Sequence, residues 1–241
     1  MRDLLLTPFS WLYGAGIRLR RFFYERGVFA AVKLGVKTIS VGNITVGGTG
    51  KTPLVHYIAA HLLDRGERVC ILTRGYGRDN PRERVLVSDG ERVLADARDA
   101  GDEPFELATK LDGRAVIIAD ADRAAAGDWA LTEFNISVFI LDDGFQHLRI
   151  KRDLDILLID ASKPFGNNKL LPAGILREPK SGLERVDAFV ITRANLANNV
   201  PELQNELARL NSTCPQFVSQ NAFIGLKALR DKGRESSEVS L

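Results

Sequence analysis

The chain has 241 residues, 45% of them hydrophobic and 27% charged, with a formal net charge of +2 at pH 7. That size and balance fit a soluble globular protein with one substantial core and room for a small second unit. Near-neutrality excludes a bulk nucleic-acid binder, for which a strongly basic domain is expected.

In chain order, the first predicted element is an N-terminal amphipathic helix over residues 1–30. Thr7 and Pro8 suit an N-cap and a first helical position, after which Phe9, Leu12, Tyr13 and Ile17 recur at helical spacing. The uncharged run 4–17 is interrupted by Pro8, Gly14 and Gly16 and falls short of the ~20 residues a bilayer span needs. No basic segment precedes it and no small-residue cleavage site ends it, so it is not read as a secretory signal. Trp11, Phe22, Phe23 and Tyr24 stand beside Arg18, Arg20 and Arg21, a pattern suited to an interfacial membrane contact. Packing of this helix on its own domain is the other reading of the same pattern.

From residue 37, apolar β-branched runs at 37–41, 68–73, 115–119, 138–141, 155–159 and 188–192 predict strands buried on both faces of a parallel sheet. Between the first two lies a helical pattern, 53–65, with Leu54, Ile58 and Leu62 in phase and Gly66 as its stop. Such alternation predicts a doubly wound, P-loop NTPase-like α/β fold with ligands at the carboxyl ends of the strands. The core is expected to span 31–214, with 215–241 beginning a C-terminal domain or tail whose last residues, 231–241, are polar and frayed. A hairpin is expected at 85–87 and 92–94 around Asp89-Gly90, and 162–182 reads as a long functional loop. Cys70 lies in an apolar run and reads as a core filler, whereas Cys214 sits in a polar stretch. With no CxxC pair and only His56, His61 and His147, neither disulfides nor a zinc site is expected, and a reducing cytoplasm fits.

Gly47-Gly48-Thr49-Gly50-Lys51-Thr52 falls between the first strand and the first core helix, the context a phosphate-binding loop requires. Its glycines let backbone N–H groups turn inward as an anion nest, and the helix N-terminus adds its positive dipole end. Lys51 is placed to neutralise phosphates and Thr52 to ligate Mg²⁺. Thr45 occupies the position of the usual first glycine, and Val46 stands where a variant class carries lysine.

The strand 136–141 ends in Asp142-Asp143, a Walker B arrangement for holding Mg²⁺ or its water. If the strand persists, the two carboxylates point to opposite faces, one to the metal and one to a neighbouring element. Asp-Asp-Gly as a simple turn is the alternative. Gly101-Asp102-Glu103-Pro104 opens a helix, where Asp102 is either an N-cap or a base for an acceptor hydroxyl. Thr73-Arg74-Gly75-Tyr76-Gly77-Arg78 and Asp120-Ala121-Asp122-Arg123 follow other strand ends, so all of these converge on one sheet edge. His147 alone reads as a capping or packing residue, and His56 and His61 as helix-surface or packing residues.

Together, VGNITVGGTGKTP, LTRGYGR, GDEP, DADR, LDDGFQH and GNNKLLPAGILREP resemble the tetraacyldisaccharide 4'-kinases, the lipid A 4'-kinases of Gram-negative bacteria. The likeness runs from the N-terminal helix to about residue 193. It implies an enzyme that uses ATP and Mg²⁺ to phosphorylate the 4'-hydroxyl of a tetraacylated disaccharide 1-phosphate, the lipid A precursor. The resemblance places the catalytic aspartate at Asp102, with Glu103 beside it, and gives Asp142 and Asp143 the metal and Walker B roles. Arg123, Tyr76 and His147 become rim residues for catalysis and substrate. It also implies a peripheral monomer on the inner leaflet of the inner membrane, at its cytoplasmic face. Family members continue past the position of residue 241 with an Asp-His-His stretch, and no histidine follows His147 here. A kinase lacking most of its second domain is therefore expected. A variant P-loop ATPase or switch acting on a protein partner, or a non-catalytic nucleotide-binding remnant, are the alternatives.

Overall fold

The computed structural model describes residues 2–220, 222, 226–227 and 238–239. Its centre is an eight-stranded sheet in the order β3-β4-β2-β5-β1-β6-β7-β8. The strands are β1 (Lys37–Asn43), β2 (Val69–Thr73), β3 (Val85–Asp89), β4 (Val116–Ala119), β5 (Val138–Asp142), β6 (Leu154–Asp160), β7 (Ala188–Thr192) and β8 (Gln216–Val218). All neighbours pair parallel except β3, which runs antiparallel to β4 at one edge. The mainly parallel, doubly wound sheet predicted from the apolar runs is therefore present.

Side chains alternate across each strand, and both faces are covered. On β2, Val69 and Ile71 enter one core with Val55, Ala59 and Leu107, from α2 (Lys51–Leu63) and α4 (Asp102–Lys110). Cys70 and Leu72 enter the opposite core with Leu34 and with Ala124 and Ala130 of α5 (Arg123–Glu133). A third core joins β6 and β7 to Leu203 and Leu207 of α6 (Val200–Leu210), and Cys214 packs there too, its polar sequence neighbours notwithstanding. This burial on both sides is why the strand sequences are continuous apolar runs.

Several elements differ from expectation. Helix α1 begins at Arg2 and runs to Glu25, so Pro8 lies inside it and Thr7 is no N-cap. The position forfeits one backbone hydrogen bond, but Ser10 anchors the same turn by donating to the carbonyl of Leu170 at 2.9 Å. The hairpin has only its first arm as a strand; the second is a single bridge, Ser88 to Val93, because β3 takes β4 as its partner. Segment 162–182 is tied down by bridges Thr45 to Leu176 and Leu170 to Leu176, and a 3-10 turn follows at Lys180–Arg185. A short helix, α3 (Ala97–Ala100), precedes α4. The sheet continues past residue 214 through β8. Most of the predicted tail 231–241 lies outside the described residues; within it Glu238–Val239 pairs antiparallel with Leu226–Lys227.

Candidate active site at the carboxyl edge of the sheet

The parallel strands β1, β2, β4, β5, β6 and β7 point their carboxyl ends to one edge, with β1 between β5 and β6. The loop after β1 turns through left-handed glycines, Gly47 at φ 115° and Gly50 at φ 85°, and Gly50 caps α2. A side chain at Gly50 would strain this backbone, so glycine there is dictated by the turn. The leading side of the loop is held by a late segment of the chain: Val46 N–H donates to the carbonyl of Ile175, and Arg177 N–H to that of Ile44, both at 2.8 Å. Its other side rests on β7, where Thr192 Oγ1 donates to the carbonyl of Thr49 at 2.9 Å.

A cavity of ≈ 210 Å³ opens here, lined by Gly47, Gly48, Lys51, Thr73, Arg74, Tyr76, Glu103, Asp142, Asp143 and Arg177. Strand β5 ends at Asp142, and Asp143 turns to φ 50°. That turn overrides the alternation of an extended strand, so the two carboxylates share one cavity instead of facing opposite ways. Asp142 is buried; its Oδ2 accepts from Thr73 Oγ1 at 3.2 Å and its Oδ1 has no partner. Burial, with Glu103 and Asp143 nearby, pushes its carboxyl up to about 6, against the pull of Lys51 and Thr73. Asp143 behaves oppositely. Burial works against its charge, but Lys51 and Arg177 prevail and hold it below the usual carboxylate range. Lys51 Nζ lies 3.6 Å from Asp143 and donates to Asn43 Oδ1 at 3.3 Å, while Arg177 Nη1 donates to both Asp143 oxygens at 2.9 and 2.7 Å.

Among the described residues, no three His, Cys, Asp or Glu side chains converge closely enough to form a metal cage. The arrangement is a carboxylate pair, one oxygen of it unpartnered and buried, with Glu103 on the same wall. That donor set fits Mg²⁺, which is held by one or two carboxylates and completed by substrate phosphates and water. Thr49, Gly50 and Thr52 do not line the cavity; Thr52 sits half-buried in the first turn of α2, and Thr49 Oγ1 is buried without a partner.

Asp102 is exposed at the start of α4, and its neighbour Glu103 reaches the cavity wall. The preceding Gly101 has φ 90°, and a Cβ there would meet the carbonyl oxygen of Tyr76 at 2.4 Å. Glycine thus lets the GDEP turn pack its backbone onto the Gly75-Tyr76 turn. A second, adjoining cavity of ≈ 410 Å³ leads from Arg74, Tyr76, Asp143 and Arg177 towards Tyr13 and Arg20 of α1, and includes Arg123 and His147. Arg123 is buried at the start of α5 and donates to the carbonyl of Asp142 at 2.7 Å, clamping the Asp-Asp turn. Burial, and then the charges of Arg123, Arg152, Arg20 and Arg149, lower the His147 imidazole to about 3, so it is neutral; its Nε2 is buried without a partner. Asp120 and Asp122 are structural: Asp120 pairs with Arg84 at 2.7 Å, and Asp122 caps α5 and pairs with Arg149. His56 and His61 stay on α2, where His61 stacks on Tyr57. Sequence reasoning gave no role to Asn43, Gln146 or Arg177. Gln146 donates to the carbonyl of Asn43 at 2.9 Å and to Glu178 at 3.2 Å. The only signal for these residues was their presence inside the VGN, DDGFQH and LREP stretches. The ≈ 520 Å³ cleft lined by Leu63, Arg68, Asp89 and Arg114 lies at the opposite end of the strands and shares none of these residues.

A sequence model of the family described as tetraacyldisaccharide-1-P 4'-kinase matches residues 2–238. The chain belongs to the tetraacyldisaccharide-1-P 4'-kinase family. It is 51% identical over 189 residues to the tetraacyldisaccharide 4'-kinase of Geobacter metallireducens, covering 78% of this chain and 56% of that protein. It is 41% identical over 238 residues to the tetraacyldisaccharide 4'-kinase of Halothermothrix orenii, covering 98% of this chain and 62% of the relative. The crystal structure of LpxK from Aquifex aeolicus in complex with ATP superposes with a TM-score of 0.76 at 40% identity, over 90% of this chain and 64% of that one. The chain thus spans about half to two thirds of the length of these kinase-family relatives.

Proposed function

We propose that this chain carries the nucleotide site and the acceptor rim of an ATP-dependent lipid kinase. The reaction transfers the γ-phosphoryl group of ATP to the 4'-hydroxyl of a tetraacyldisaccharide 1-phosphate, the lipid A precursor. The observation that carries this reading is the gathering of Lys51, Glu103, Asp142 and Asp143 around one cavity at the mouth of the glycine loop. Membership of the kinase family supports the choice of reaction.

In this reading the N–H groups of Gly47, Gly48, Thr49 and Gly50 and the N-terminus of α2 hold the phosphates, and Lys51 neutralises them. Thr52, Asp142 and Asp143 hold Mg²⁺, which when bound offsets phosphate charge. Asp102 orients the sugar hydroxyl and takes its proton, while Arg123 fixes the Asp-Asp turn and adds positive charge beside the transferring group. Glu103, Tyr76 and His147 face the acceptor, and a neutral His147 offers a hydrogen bond rather than a charge.

Helix α1 supports a peripheral site of action at the cytoplasmic face of the inner membrane. Leu5, Leu12 and Leu19 recur every seven residues on one side and are 72%, 74% and 53% exposed, with Phe9 and Trp11 beside them. Arg18 and Arg26 lie at the end of the stripe, a composition suited to anionic headgroups, whereas Arg20 and Arg21 turn to the carbonyls of Gln146 and Ser181. No helix among the described residues is long and apolar enough to cross a membrane.

The test is transfer of label from [γ-³²P]ATP to the tetraacyldisaccharide 1-phosphate in detergent micelles with Mg²⁺, using both this chain and Lys51→Ala. Label in lipid, abolished by the substitution, is expected. Release of label only as free phosphate would instead favour an ATPase or switch, and undiminished transfer by Lys51→Ala would remove Lys51 from the mechanism.

A further inference from the structure

Helix α1 touches the candidate site directly as well as carrying an exposed apolar stripe. Tyr13 Oη donates to the backbone carbonyl of Arg177 at 2.9 Å, and Arg20 Nη1 donates to that of Gln146 at 3.1 Å. The two side chains are seven residues apart, two helical turns, and so project from the same face. On that face Gly14 admits Leu170, and Ser10 bridges the 170–173 turn, donating to the carbonyl of Leu170 at 2.9 Å and accepting from Ala173 N–H at 3.0 Å. The leucine stripe at positions 5, 12 and 19 lies about 100° round the helix from Tyr13 and Arg20, and it is exposed.

The backbone positions held by α1 belong to residues that grip the site. Arg177 is the partner of Asp143, and Gln146 ties the carbonyl of Asn43 to Glu178. Asn43 in turn accepts from Lys51. From Tyr13 to the phosphate-loop lysine, every link is thus a hydrogen bond or an ion pair. Burial raises the Tyr13 phenol above its usual value, partly offset by Arg177, so the donor is intact at neutral pH.

We propose that α1 is a positioning element for the nucleotide site, with Tyr13 and Arg20 as its positioning residues, so that seating the leucine stripe in a bilayer sets Arg177 and Gln146. The proposal rests on the reading of α1 as membrane-bound and of the glycine loop as the nucleotide site. It adds that the two events are coupled, and coupling of this kind is reciprocal between the sites. A helix that only anchors the protein leaves nucleotide affinity indifferent to the membrane.

The experiment measures affinity for a fluorescent ATP analogue with Mg²⁺, with and without unilamellar vesicles of phosphatidylethanolamine and phosphatidylglycerol. Vesicle binding is followed separately by sedimentation, and the fold by thermal melting. In the unsubstituted protein, saturating vesicles should tighten nucleotide binding about fivefold or more, the low end of usual coupling. Tyr13→Phe and Arg20→Ala should sediment with vesicles and melt like the parent yet lose that gain, whereas Arg20→Lys, which can still donate to the Gln146 carbonyl, should retain it. Binding of both vesicles and nucleotide without mutual effect would overturn the positioning role and leave the kinase reading standing. Equal coupling in parent, Tyr13→Phe and Arg20→Ala would do the same. Failure of the unsubstituted protein to bind vesicles or nucleotide would overturn the proposal together with the reading on which it rests.

Discussion

Asp142→Asn is expected to make the nucleotide-free protein more stable at neutral pH. In the fold this carboxyl is raised from 3.8 to about 6, chiefly by burial, so ionising it there costs more than in the unfolded chain. The gap corresponds to about 3 kcal/mol at 1.36 kcal/mol per tenfold change in proton affinity. Asparagine keeps the shape and cannot ionise, but its amide group then occupies the place of the unpartnered Oδ1, which costs about 1 kcal/mol. The net gain is about 2 kcal/mol, or roughly 4–8 °C in Tm for a domain of this size. The sign follows from linkage. Between 3.8 and about 6 the folded wild type binds more protons than the unfolded chain, so its stability falls as pH rises through that window. The advantage of the variant should therefore be full at pH 7.5, shrink as pH falls, and give way around pH 4 and below to a deficit of up to about 1 kcal/mol, the amide cost alone. Melting in EDTA across that range is the assay. A variant no more stable than wild type at pH 7.5, or an advantage that persists unchanged at pH 4, would refute the argument. The same substitution should weaken Mg²⁺-nucleotide binding, so stability and function move in opposite directions.

Three further outcomes are expected. Asp102→Asn should leave ATP affinity near normal while phosphoryl transfer falls at least ~10²-fold, the lower range for loss of a general base; a small effect in the lipid-kinase assay would remove Asp102 from the mechanism and leave it an acidic residue in the first turn of α4, which Gly101 caps. His147, held to about 3 in the fold, takes up a proton only on unfolding between pH 3 and 6.5, so it drains stability as pH falls through that window. His147→Gln should accordingly lose less Tm than wild type between pH 7 and pH 5, measured with nucleotide absent. Gly101→Ala should destabilise by about 2 kcal/mol or more, since it adds strain at a positive φ to a 2.4 Å approach to the Tyr76 carbonyl; an unchanged denaturation midpoint would show that the turn relaxes freely.

Strands buried on both faces write themselves into sequence as uninterrupted apolar runs, so β1, β2, β4, β5, β6 and β7 were legible within a residue or two of their ends. The short edge strand β8 was not, because Phe217 and Val218 remain largely exposed and carry no such run. Helix α1 was legible by its period, but its start was misplaced, as Pro8 usually opens a helix and here sits within one. Asp142 and Asp143 were legible as a strand-end pair, while their convergence depended on a left-handed turn at Asp143 that residue types do not announce. Arg177 and Asn43 were hidden for a different reason. Arg177 is placed by pairing of residues 44–46 with 175–177, and Asn43 at the end of β1 joins the site through Lys51 and Gln146; these are tertiary contacts that local pattern does not encode.

The central place of β1 has a consequence for how the chain comes to be folded. Its neighbours are β5, with Lys37 opposite Val138, and β6, with Ile39 opposite Leu154. A nascent chain therefore exposes its first strand without either partner while roughly a hundred more residues are added, on the order of 5–20 s at 5–20 residues per second. The glycine loop waits longer still, until Ile175 and Arg177 arrive to hold its leading side. Contacts of such long sequence separation close slowly. The glycine loop is thus among the last parts of the core to be finished, and β1 is the strand most in need of shielding during synthesis.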